Sequence, residues 1–86
     1  MDPAHDTVRG RTALVTGAGN GLGRAIALAL AGRGARVVLV GRRRATLESV
    51  AAEVGQIGGA ARVAVCDTSR PEQVSALGAA LADEEV

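Results

Sequence analysis

Residues 12–25 read TALVTGAGNGLGRA. An apolar, β-compatible run from Thr12 to Val15 is broken at Thr16-Gly17. Four glycines, Gly17, Gly19, Gly21 and Gly23, then fall within seven positions, directly before a helical pattern. A bland turn from strand to helix needs one glycine, or two. A strand without alternation reads as one covered on both faces, as in a parallel sheet. A helix that starts from such a loop presents unpaired N–H groups and the positive end of its dipole, both suited to a phosphorylated ligand.

Outward from the loop, the alternation continues. Leu22, Ile26, Ala29 and Leu30 recur at helical spacing from Gly21 to about Gly32, and Gly34 serves as a C-terminal cap. ARVVLVG at 35–41 is a second short strand. Residues 44–54 place Leu47, Val50, Ala51 and Val54 on one helical face, with Glu48, Ser49 and Glu53 opposite. GQIGGA at 55–60 is a turn, and ARVAVCD at 61–67 is a third strand. Ser69-Arg70-Pro71-Glu72 has the spacing of a capping box, and Val74, Leu77 and Leu81 follow on one face.

The order βαβαβα predicts an α/β fold: the N-terminal half of a Rossmann-type doubly wound parallel sheet, with three strands in the order 3-2-1 and an end before any fourth strand. Residues 1–10 are expected to be a polar leader, and residues 11–86 a partial Rossmann domain.

Composition narrows the function. The 86 residues are 48% hydrophobic with no aromatic residue, so any core is built from Ala, Val, Leu and Ile. A formal charge of +1 is too balanced for nucleic-acid binding by bulk electrostatics. All ten basic residues are arginine, and neither lysine nor tyrosine occurs. The single Cys66 excludes an internal disulfide and a cysteine-rich zinc site, and reads as a small apolar packing residue. His5 stands in the polar leader without a partner. No apolar run approaches membrane-spanning length and the first ten residues lack a signal-type core, so the default location is cytoplasmic.

The loop chemistry is position-specific. A side chain at Gly17 would obstruct the tight turn, one at Gly21 would hold a pyrophosphate off the backbone, and one at Gly23 would push the helix from the strand. The spacing is Thr-Gly-x-x-x-Gly-x-Gly, not Gly-x-Gly-x-x-Gly. It is not a P-loop either, because no Gly-Lys-Ser/Thr follows. In this form the chain resembles the short-chain dehydrogenase/reductase family. The likeness runs from about Arg11 to the C-terminus and includes VVLVGRRR and VCD, so it does not rest on one motif.

That resemblance implies a dinucleotide held by the loop, with Gly17, Asn20, Gly21, Leu22 and Gly23 as its contacts. At the end of the second strand, where a carboxylate often accepts bonds from the adenosine ribose, stands Gly41 followed by Arg42, Arg43 and Arg44. Guanidinium groups match phosphate oxygens bidentately. Arg42 occupies the position at which NADP-preferring members carry a basic residue, and Arg43 is the second contact, so NADP is expected over NAD. The competing reading makes the arginines a solvated helix start. The family places an aspartate at the end of the third strand against the adenine amino group, with the next residue's backbone on the ring. Here these are Asp67 and Thr68, and an Asx turn is the simpler role that can coexist.

The family's chemistry needs a Tyr-x-x-x-Lys pair with a nearby serine. With no tyrosine or lysine in these residues, no catalytic residue and no metal site is assigned, and this chain alone is expected to be inactive. The expectation is an NADP(H)-binding segment of an oxidoreductase that moves a hydride between NADP and a carbonyl or alcohol. The alternatives are a free-standing nucleotide-binding module, or a half domain that associates through an uncovered strand at Thr12–Val15.

Overall fold

The structure is a computed structural model, and it describes residues 8–19 and 21–81. Its elements are β1 (Thr12–Thr16), α1 (Gly21–Gly32), β2 (Arg36–Gly41), α2 (Arg44–Gln56), β3 (Ala60–Val65) and α3 (Pro71–Ala80). The strands form one parallel sheet in the order β1-β2-β3. Thr12 pairs with Arg36 and Thr16 with Val40, while Arg36 pairs with Ala60 and Gly41 with Val65. This is the expected 3-2-1 order.

β2 is the spine. Its Val37-Val38-Leu39-Val40 run is buried because both sheet faces are covered there. Val37 and Leu39 join one core with Val15, Ala27, Ala31, Leu47, Val50 and Val54. Val38 and Val40 point the other way and join Cys66 and Leu81. The period-2 alternation of a strand thus divides four consecutive apolar residues between two cores. β1 is covered less completely than its apolar run suggested. Thr12 and Val15 are buried, but Leu14 is 40% exposed.

α2 buries Leu47, Val50 and Val54, the face read from the sequence. α1 does not bury the face that was read. Its buried residues are Ala27 and Ala31, while Leu22 is 76% and Ile26 42% exposed. The reason is the close approach of the helix to the first strand–loop turn at Gly23. Gly23, Ala27 and Ala31 fall four residues apart on one stripe, and only small residues fit a helix axis brought so near the sheet. Leu28 and Leu30 pack beside that stripe.

The third unit also differs in detail. β3 ends at Val65, two residues before Asp67, so Cys66–Arg70 form the turn into α3. The capping box does not form. The N-cap is Arg70, without a side-chain cap bond, and Ser69 instead donates its hydroxyl to Asp67 Oδ1 at 2.6 Å. Pro71 takes the first helical turn as expected. Of the anticipated apolar face, Leu81 is buried, Leu77 packs partly, and Val74 remains 44% exposed.

Gly23 generates the first prediction. A Cβ there would lie 2.0 Å from the Gly17 carbonyl oxygen, against backbone that cannot rotate away. Gly23→Ala should therefore destabilise by about 3 kcal/mol or more, at the upper end of overpacking costs. Gly32→Ala is the control, since a Cβ there meets nothing within 4 Å and should help by roughly 0.5–1 kcal/mol. Urea midpoints measure both. Equal midpoints for Gly23→Ala and the parent chain would discard the close-packing account.

Candidate functional site

The carboxyl ends of the three strands bring together Gly17 after β1, Gly41 to Arg43 after β2, and Cys66 to Ser69 after β3. Two cavities adjoin there. One, of about 320 Å³, is lined by Gly17, Gly41, Arg42, Cys66, Asp67, Thr68 and Ser69. The other, of about 360 Å³, is lined by Gly17, Gly19, Gly41, Arg42, Arg43 and Thr46. Gly17, Gly41 and Arg42 belong to both, so the two form one crevice. The carboxyl edge is where open parallel sheets take ligands. A smaller cavity of about 120 Å³ opens at the opposite end, near Thr12, Arg36 and Arg62.

The glycine loop is pinned over β2 by the Ala18 N–H, which donates to the Val40 carbonyl at 3.2 Å. Gly17 and Gly21 have φ of +64° and +57°, the left-handed region where a side chain is strained. Gly21, Leu22 and Gly23 line neither cavity. They form the first turn of α1, whose N–H groups have no partner within the helix. Asn20 lies outside the described residues.

Glycine at the end of β2 has a packing reason besides the lack of a carboxylate. A Cβ on Gly41 would stand 3.1 Å from Leu47 Cδ2. The Gly41 carbonyl accepts the Cys66 N–H at 2.8 Å, which ties the second strand's end to the third. Arg43 is the N-cap of α2, with no side-chain cap bond and no acidic residue in the following turn. Arg44 is absorbed on the helix surface by Glu48, 3.8 Å away. No ion pair of Arg42 or Arg43 occurs among the described residues. Two guanidinium groups thus flank an uncapped helix start, an arrangement favourable to an anion.

Asp67 occupies an Asx turn. Oδ1 accepts the Ser69 N–H at 3.0 Å and the Ser69 hydroxyl, while Arg70 Nε stands 3.7 Å from Oδ2. The Asp67 N–H donates to Gln73 Oε1 at 2.7 Å, so α3 holds this turn from the far side. The Ser69 hydroxyl and N–H, with the charges of Arg42 and Arg70 behind them, hold the carboxyl below its ordinary value of 3.8. On the opposite flank, Arg24 of α1 bonds Glu53 of α2 through Nε at 2.9 Å and a second guanidinium nitrogen. This bond holds the Glu53 carboxyl below its usual range. The pair clasps the two helices that carry the glycine loop and the arginine turn.

Gly17, Arg42, Arg43, Asp67 and Thr68 are therefore brought to one crevice. Gly19, Thr46 and Ser69 also line it, none of them an expected contact, and Gln73 holds its Asp67 turn. Thr46, three residues past the N-cap, belongs to no capping box and carried no motif signal. Gln73 carried none either. Among the described residues no group of three or more His, Cys, Asp or Glu could hold a metal ion, and no helix is long and apolar enough to cross a membrane.

A parallel βαβ sheet with a glycine turn at its carboxyl edge and helices between its strands is a Rossmann-like N-terminal half. Residues 11–84 match the family model of short chain dehydrogenases, and the chain belongs to that family. It is 47% identical to the fatty acyl-CoA reductase of Acinetobacter baylyi over 62 residues, 72% of this chain and 21% of that protein. A 3-oxoacyl (acyl-carrier-protein) reductase from Agrobacterium tumefaciens C58 with NADP bound superposes with a TM-score of 0.85 at 35% identity, over 95% of this chain and 32% of that one. A metagenomic short-chain oxidoreductase in complex with NADP gives 0.84 at 40% identity, over 90% of this chain and 35% of the other. The chain spans 28%, 21% and 22% of the length of three curated relatives that it matches.

The carboxylates generate a pH prediction. Asp67 and Glu53 both have folded values below their unfolded ones, so their contribution is present above the ordinary carboxylate range. It is lost as pH falls through the depressed folded values. The melting temperature should drop between about pH 5 and pH 2, and less so in a chain carrying both Asp67→Asn and Glu53→Gln. An identical acid slope in the two chains would show that neither group is linked to folding.

Proposed function

We propose that this chain holds the adenosine half of NADP in a short-chain dehydrogenase that moves a hydride between the cofactor and a carbonyl or alcohol. The observation that carries this reading is the pair Arg42 and Arg43 at the end of β2, with Gly41 where a ribose-binding carboxylate would stand. Two relatives of this fold have NADP bound, which supports the choice of dinucleotide. The cofactor, when bound, supplies or accepts the hydride.

This chain's own residues bind and orient. Gly17, Gly21, Leu22 and Gly23 present backbone to the pyrophosphate. Arg42 and Arg43 take the 2′-phosphate, and Asp67 and Thr68 bound the adenine. Because the Asp67 N–H is already given to Gln73, the base has the Asp67 carboxylate and the Thr68 backbone to meet. The 86 residues contain no tyrosine and no lysine. The chain alone therefore binds without turnover, and the proton donor of the whole enzyme belongs to residues outside this sequence. A cytoplasmic location accords with a lone, buried Cys66.

A second reading has its own observation. β1 is an edge among the described residues, and Leu14 on it is 40% exposed. An apolar edge favours completion of the sheet by another strand, from a continuing chain or a second copy. Sedimentation of the 86-residue chain tests this: concentration-dependent association is expected, and a monomer with a sharp cooperative melt would reject it.

Two substitutions test the main reading by titration with NADP and NAD. Arg42→Asp should weaken NADP binding by one to two decades, the worth of one charge-assisted phosphate contact, and leave NAD little changed. Equal losses would remove the 2′-phosphate assignment. Gly21→Val should abolish binding of both. It carries a stability cost of roughly 1–2 kcal/mol, because valine must adopt φ near +57°. A folded Gly21→Val variant with parental affinity would reduce the loop to a turn.

A further inference from the structure

We infer that Thr46 is a third ligand of the 2′-phosphate, acting with Arg42 and Arg43 to set the preference for NADP over NAD. The inference rests on the reading of the arginine pair given above and adds to it a residue outside the glycine loop and outside the arginine run.

Thr46 lies in the first turn of α2 and lines the same 360 Å³ cavity as Arg42 and Arg43. It also closes that cavity toward the glycine loop. A Cβ on Gly19 would stand 3.2 Å from both Cβ and Oγ1 of Thr46. The hydroxyl therefore sits between the loop that would carry the pyrophosphate and the turn that carries the guanidinium groups. The nearest acidic neighbour on its own helix, Glu48, is engaged with Arg44.

Thr46 Oγ1 donates to the Arg43 carbonyl at 3.0 Å. That carbonyl also accepts the Leu47 N–H at 3.2 Å. The hydroxyl proton can therefore turn from the carbonyl to a phosphate oxygen without leaving the carbonyl unpaired. Such a swing costs one neutral hydrogen bond and gains one to an anion, which is the stronger kind. A helical threonine has two χ1 rotamers, and the bond to the carbonyl three residues back selects the one that keeps the hydroxyl at this cavity before the ligand arrives.

The test uses 2′,5′-ADP and 5′-AMP as probes, which differ only in the 2′-phosphate and need only the adenosine half of the site. Calorimetric titration of the 86-residue chain is run on Thr46→Val, Thr46→Ser and Arg42→Gln, each checked for parental circular dichroism. Thr46→Val, which keeps the shape and loses the hydroxyl, should bind 2′,5′-ADP about tenfold more weakly and 5′-AMP within twofold of the parent. Thr46→Ser should restore 2′,5′-ADP binding to within about threefold. Loss of selectivity in Arg42→Gln, with full selectivity kept in Thr46→Val, overturns the role of Thr46 and leaves the arginine reading intact. Equal weakening of both probes by Thr46→Val overturns it as well, because that marks a wall and not a phosphate ligand. A parent chain that binds the two probes equally removes the 2′-phosphate reading, and this inference with it.

Discussion

The contact on which the rest depends is the seating of Gly23 on the carbonyl of Gly17, with no room between them for a single carbon. It brings the first turn of α1 down on the end of β1. The helix then has only a stripe of Gly23, Ala27 and Ala31 to offer the sheet, and larger side chains are displaced to its flanks. The same seating points the helix start at the carboxyl edge of the strands. Packing and site are thus one constraint. A bulkier first turn would lift the helix and move its N–H groups away from where a phosphate would sit.

β2 carries this constraint across the molecule. Its four apolar residues serve two cores, and its last residue is fixed by the Cys66 N–H on one side and Leu47 on the other. Arg42 and Arg43 therefore leave a well-anchored strand, not a drifting loop. The Arg24–Glu53 clasp reinforces the spacing between the glycine loop and the arginine turn. Its side chains are 45% and 32% exposed, so solvent screens it and its role is alignment more than stability.

Most of this was legible in the chain. The Thr-Gly-x-x-x-Gly-x-Gly loop, the alternation of apolar runs with helical patterns, and Gly41 before three arginines placed every strand and helix and foretold the parallel order. The reading failed where tertiary closeness overrode periodicity. Leu22 and Ile26 have helical spacing and more apolar area than Ala27 or Ala31, yet the approach at Gly23 selects the smaller pair. The capping box at Ser69 failed because Asp67, two residues earlier, offers the serine hydroxyl a charged acceptor and wins it. Gln73 was invisible for a different reason: a glutamine in a helix has no pattern that announces a backbone partner six residues back.

α3 contains no buried residue of its own and is anchored mainly by Leu77 and by Leu81 at its end. An element so lightly held belongs to the low-stability end of a structure, where amide hydrogens exchange through local opening and not through global unfolding. The turn that presents Asp67 and Thr68 is held by Gln73 of that helix, so it shares the helix's fate. A ligand bridging Arg42 and Asp67 would then be a structural member as well as a guest. By mass action it would raise the free energy of opening for this last third of the chain and leave α1, α2 and their core almost untouched. Occupancy would be written in the exchange rates of α3, a record kept by the scaffold of what the crevice holds.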